Sequence, residues 1–214
     1  MKKTVLIAIT VLFATLLRAE NSKYFNKMKE TIGQYSQCNN IDDYRNLANK
    51  FKIIAGVEKS EWLPLYYEAH CYIIMSFMVH GDANQKDAFL DIAETSLNKM
   101  IELVPTESEV FALQAFYYTA RLVVNPQERG QKYGALSAQT VAKAIAMDAN
   151  NPRARLIKLQ NEMGTARFFG SDVTPYYAQA EELLNSWDSY KPKSDIYPNW
   201  GKGQVQGIVN NRKE

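Results

Sequence analysis

Residues 100–113, MIELVPTESEVFAL, and residues 144–157, AIAMDANNPRARLI, are two versions of one corner set 44 positions apart. In each, an apolar helical run ends in a short polar turn containing proline, and a new periodic run begins at once. A helix–turn–helix unit that recurs cannot bury its apolar face alone. Its neighbours must stack beside it, which restricts the chain to a layered array of helical hairpins.

The rest of the chain agrees with that restriction. Apolar residues recur at i, i+3, i+4 and i+7 almost throughout, and runs of strand-like alternation bounded by turns are missing. The periodicity predicts helices over roughly 22–37, 41–55, 61–80, 85–103, 107–124, 128–148, 152–167, 174–189 and 199–212. Breaks fall at Gly81-Asp82, Val104-Pro105-Thr106, Asn125-Pro126, Gly170-Ser171-Asp172 and Lys191-Pro192, residues that stop one helix or cap the next.

The first 19 residues read differently. Lys2 and Lys3 precede an apolar run from Thr4 to Leu17, and Leu17-Arg18-Ala19 offers a small residue before Glu20. This is the layout of a secretory leader cut after Ala19, followed by one domain over 20–214. The apolar run is short of the ~20 residues that span a bilayer, so no stable membrane insertion is expected after cleavage. Removing Lys2, Lys3 and Arg18 takes the formal charge from +2 to −1. That balance gives no support for nucleic-acid binding, which calls for a concentrated basic surface. The expected location is periplasmic or secreted. Such a compartment permits disulfides, but Cys38 falls in a loop and Cys71 near the middle of a helix. They read as two small buried hydrophobes rather than a bridge.

Spacing within the hairpins resembles the tetratricopeptide repeat. Phe111, Ala115 and Tyr118, and likewise Leu65, Ala69 and Tyr72, match the large–small–aromatic spacing of that family's first helix. Ala93, Leu97 and Met100 before Pro105, and Ser137, Val141 and Ala144 before Ala149, match its second helix. The small residue lets the two helices approach closely, and the bulky ones fill the groove beside it. The resemblance implies an all-α, right-handed superhelix of about nine antiparallel helices. The period of 44 against the family's ~34 leaves about ten extra residues per unit, assigned to longer helices and to loops at Gly81–Gln85 and Asn125–Gly130. At the third unit the positions hold Arg155, Leu159 and Glu162, a degenerate match. The C-terminal half resembles small secreted TPR-like proteins of Gram-negative bacteria: Asn151-Pro152-Arg153-Ala154, Asn161, Phe169-Gly170, Ala180, Lys191-Pro192, Pro198 and Trp200-Gly201. That resemblance carries no biochemical activity with it.

No catalytic constellation stands out. His70 and His80 are nearly three helical turns apart and cannot share an ion, and no third ligand at metal spacing accompanies them. Neighbouring His70 and Cys71 point about 100° apart on a helix and form no dyad. Glu61, Glu68, Glu94, Glu109 and Glu162 read as solvated or hydrogen-bonded faces. No enzyme activity, metal or cofactor is expected.

In the repeat register the inner wall comprises Tyr66, His70 and Ile73, then Ala112, Phe116 and Thr119, then Leu156, Gln160 and Met163. It is apolar to mildly polar and lacks the paired cations that clamp a peptide carboxylate. Of the aromatic doublets, Tyr67 and Tyr118 are expected to pack inward. Phe168-Phe169 is expected to plug the end of the stack, and Trp200 to cover the last hairpin. The binding residues assigned are Tyr66, His70, Ile73, Ala112, Phe116, Thr119 and Gln160. The expected function is an exported, non-catalytic binding or scaffold module holding a protein segment of a cell-envelope partner. The alternative is an accessory component of a periplasmic transport system that holds a small apolar ligand.

Overall fold

The computed structural model describes residues 22–213; the leader-like segment 1–19 lies outside them. Nine α-helices account for most of the described residues, and no strand occurs among them. They are α1 (22–33), α2 (Ile41–Val57), α3 (Leu63–Met78), α4 (Ala83–Leu103), α5 (Ser108–Val124), α6 (Pro126–Met147), α7 (Pro152–Phe168), α8 (Thr174–Ser186) and α9 (Lys202–Asn210). No described helix is long and apolar enough to cross a membrane.

From α2 to α8 each helix packs on the next in sequence, and α9 returns onto α8. In addition α3 packs on α5 and α5 on α7, so alternate helices form one row behind which α4 and α6 pair with their partners. That is the layered array the recurring corner requires. Of the twelve positions that match the repeat spacing, eleven are buried and Tyr118 is half-buried; at the degenerate third unit only Leu159 is buried. Ala69, Ala93, Ala115 and Ala144 have no exposed surface, as close helix approach demands.

The extra length per unit goes into helices rather than loops. α4 and α6 run 21 and 22 residues. The two expected loops are capped starts: Asp82 accepts from the Gln85 backbone amide at 2.9 Å and Asn125 from that of Glu128 at 3.3 Å. Pro126 fits the first helical position because no intrahelical partner is needed there.

The two versions of the corner lie against each other. Asn151 accepts from the backbone amides of Arg153 and Ala154, capping α7, and donates its amide hydrogen to Ser108 Oγ at 2.9 Å. Ser108 in turn donates to the Ala144 carbonyl that ends α6. Beside this chain, Arg153 makes two bonds to the Glu109 carboxylate at 2.5 and 2.6 Å, with side chains 2% and 0% exposed. Of the two readings open for Glu109, solvated or hydrogen-bonded, the second holds: it is buried and paired across the repeat. Glu68 is buried as well and accepts from Ser96 at 3.0 Å.

Three other expectations are corrected. Tyr66 and Tyr67 are both buried, because α3 is covered on several sides at once. In the second doublet Tyr117 is the inward residue, held by Arg121, while Tyr118 lies half-buried near Tyr133. Phe168 and Phe169 plug nothing: they are 60% and 74% exposed and meet each other edge to face. Cys38 and Cys71 are both free thiols.

Candidate functional site

Three of the seven assigned residues, Tyr66, His70 and Phe116, meet at one place. Tyr66 and His70 sit one turn apart on α3, and Phe116 faces them from α5. The His70 and Phe116 rings are 6.3 Å apart, and Phe77, one further α3 residue, stacks on Phe116 at 5.2 Å and 23°. Phe77 is 38% exposed and carries this aromatic wall out to solvent.

The wall is covered by the chain's own C-terminal segment, running from the end of α8 to the start of α9. Trp200 lies flat on it. Its ring is 4.9 Å from His70 at 32° and 5.5 Å from Phe116 at 27°, and its Nε1 donates to Tyr66 Oη at 2.9 Å. Tyr67 Oη donates to the carbonyls of Ile196 and Tyr197. Tyr197 Oη and Lys193 Nζ both donate to Glu107, and Tyr190 Oη donates to Glu109. Trp200 thus reaches across to the inner wall instead of covering the last hairpin alone. Spacing could not reveal this, because the segment has no periodicity of its own.

The segment closes at Gly201, whose φ is +108°. A Cβ there would lie 2.7 Å from Trp187 Cη2 and 3.0 Å from Leu156 Cδ2. Gly201→Ala is expected to cost about 1–3 kcal/mol for the backbone conformation alone, and more with the overlap. Urea unfolding of the variant against the wild type measures this; an unchanged midpoint would show that the turn is not held as described.

His70 is fixed from behind. Tyr35 Oη lies 3.1 Å from the Tyr67 carbonyl, 3.2 Å from His70 Nδ1 and 3.1 Å from Cys71 Sγ. A phenol has one proton, and the carbonyl accepts only, so Tyr35 donates to Tyr67. The tautomer with hydrogen on His70 Nδ1 then lets the imidazole donate to the phenol. Nε2 is left with its lone pair, buried and without a partner. Burial pushes the imidazole down to about 3 and the Tyr35 and Tyr66 phenols and the Cys71 thiol up. The wall is uncharged at neutral pH, and the imidazole presents its face to the indole.

The other four assigned residues do not join this group. Ile73 and Ala112 have no exposed surface; Ala112 packs with Phe111, Ala144 and Ala154 between repeats. Thr119 Oγ1 lies 2.8 Å from Asn161 Oδ1 and 3.1 Å from Ser137 Oγ, a polar tie joining α5, α6 and α7. Gln160 bonds Gln204 of α9 at 3.3 Å. Close packing of repeats consumes these positions, which a register alone cannot foresee. His80 is exposed.

A charged cleft on α4, α5 and α6 is lined by Asp87, Asp91, Arg121, Arg129, Lys132 and Tyr133, among others. Its two arginines are paired internally: Arg121 donates to Asp87 and Asp91, and Arg129 makes two 2.7 Å bonds to Asp87. The Asp87 carboxyl is held below its usual range by these guanidinium bonds. This cluster ties three helices together.

Fold and site together define an all-helical hairpin protein with a neutral aromatic wall under a C-terminal cover. Among solved structures the chain is similar to the HusA haemophore from Porphyromonas gingivalis, with 32% identity and a TM-score of 0.76 over 89% of this chain and 92% of that one. At that identity and coverage the chain belongs to the family of the HusA haemophore. No protein-family model and no curated protein matches it, so what stands of the tetratricopeptide expectation is the all-helical fold.

Proposed function

We propose that the chain is an exported, non-catalytic carrier of a flat, largely apolar ligand of the haem class, held by stacking on the wall of His70, Phe116 and Phe77. The observation that carries this reading is Trp200. A flat aromatic ring already lies on that wall within 4.9 and 5.5 Å of two of its members, so the surface has the shape and neutrality a porphyrin face requires. Membership of a haemophore's family supplies the ligand class. The leader-like residues 1–19 support export.

Because His70 offers its ring face rather than its nitrogen, the iron is not the main handle. Metal-free protoporphyrin is expected to bind about as well as haem in absorbance titrations. Phe77→Ala removes an exposed part of the wall and is expected to weaken both by roughly 1 kcal/mol, or roughly five-fold. Absence of binding, or titrations indifferent to Phe77→Ala, would reject the wall as the site.

One observation favours a second reading, in which a partner's peptide is bound. The wall and its neighbour Tyr67 already accommodate a protein segment, residues 196–200 of the same chain. Capture of a defined envelope protein that Phe77→Ala weakens, with no binding of porphyrin in the titrations, would favour it.

A further inference from the structure

We propose that Trp200 is an autoinhibitory surrogate for the ligand: its ring must swing off the wall before a flat ligand binds, and it competes with that ligand rather than clamping it. This rests on the function proposed above and adds to it the residue that controls access.

Four features support competition. The indole is already at stacking distance from His70 and Phe116, so no second ring fits between them. The backbone on either side is pinned. Ile196 and Tyr197 are tied by Tyr67 Oη, and Gly201 is wedged against Trp187 and Leu156. The segment therefore cannot rise like a lid by the thickness of a ring; the side chain has to rotate out. Residues 198–200 have no regular structure to resist that rotation. Finally, one identified hydrogen bond, Trp200 Nε1 to Tyr66 Oη, latches the ring. The closed arrangement leaves His70 Nε2 buried and unpartnered, a cost that opening returns by letting water reach it. A binding-competent state that is populated only in part weakens apparent affinity by that fraction, and removing the cover restores it.

The test uses the full chain with metal-free protoporphyrin as the probe, read by absorbance titration and stopped flow. Trp200→Ala is expected to bind about ten-fold more tightly than wild type, with faster association. Equal or weaker binding by the variant, with the wild type still binding, would overturn the competition while leaving the wall as the site. No binding by either protein would overturn the proposed function and this inference together. Should circular dichroism show that Trp200→Ala is unfolded, Tyr66→Phe decides the matter, since it removes only the latch. Tighter binding and faster association support the inference; unchanged or weaker binding overturns it.

Discussion

Arg153→Met is expected to destabilise the protein by about 3–5 kcal/mol, because it strands the Glu109 carboxylate in a place with no exposed surface. For a chain of this size that corresponds to roughly 10 °C in the unfolding midpoint. The pair itself need not be net stabilising. Taking two charges out of water is costly, and the attraction between them offsets that cost when the geometry is good. Here it is good: two bonds at 2.5 and 2.6 Å, with Tyr190 Oη adding a third donor to the carboxylate. The double replacement Glu109→Leu with Arg153→Met should therefore recover most of the loss. Calorimetry on Arg153→Met, Glu109→Leu and the double variant checks this. A single variant within about 1 kcal/mol of wild type, or a double variant as unstable as the sum of its parts, would show that the two residues are not coupled as the structure has them.

The second large effect concerns pH. His70 is neutral and fully enclosed in the folded chain, its imidazole pushed down to about 3 by burial, against an ordinary value of about 6.5 once unfolded. Between those values the unfolded chain binds a proton that the folded chain refuses. Stability due to this residue is thus fully present above about pH 6.5 and is lost as pH falls toward 3. The slope is about 1.4 kcal/mol per pH unit, or about 5 kcal/mol over the whole window. His70→Leu removes the titrating group, so the difference in unfolding free energy between wild type and variant should shift steadily in the variant's favour on acidification. Parallel stability curves from pH 7 to pH 4 would mean that the imidazole is reached by water and protonates in place. Carboxylates affect both proteins alike and cancel in the comparison.

Much of this architecture was legible in residue order. The recurring corner implied stacked hairpins, and Ala69, Ala93, Ala115 and Ala144 marked the close contacts between helices because only a small side chain permits them. The 44-residue offset even contained the interior ion pair. Glu109 and Arg153 are separated by that same number, and in a stack the equivalent positions of neighbouring units face one another. The signal was present but reads as two ordinary charged residues unless the offset is applied to charges as well as to apolar positions.

The candidate site, a proposal, was legible only in part. Tyr66, His70 and Phe116 follow from the register, since helical spacing sets which side of a helix a residue occupies. Ile73, Ala112, Thr119 and Gln160 follow from the same rule, yet packing between repeats and against α9 takes them up. Periodicity states a direction; it does not state what else arrives there. Trp200 is the clearest case, since it reaches α3 and α5 from a segment more than 80 residues beyond either contact and with no repeat to follow. Local order alone determined the helices, their corners and the rule that they must stack. The tertiary structure decided which part of the stacked surface stays open, because burial and stacking depend on residues far apart in the chain that only the folded shape brings together.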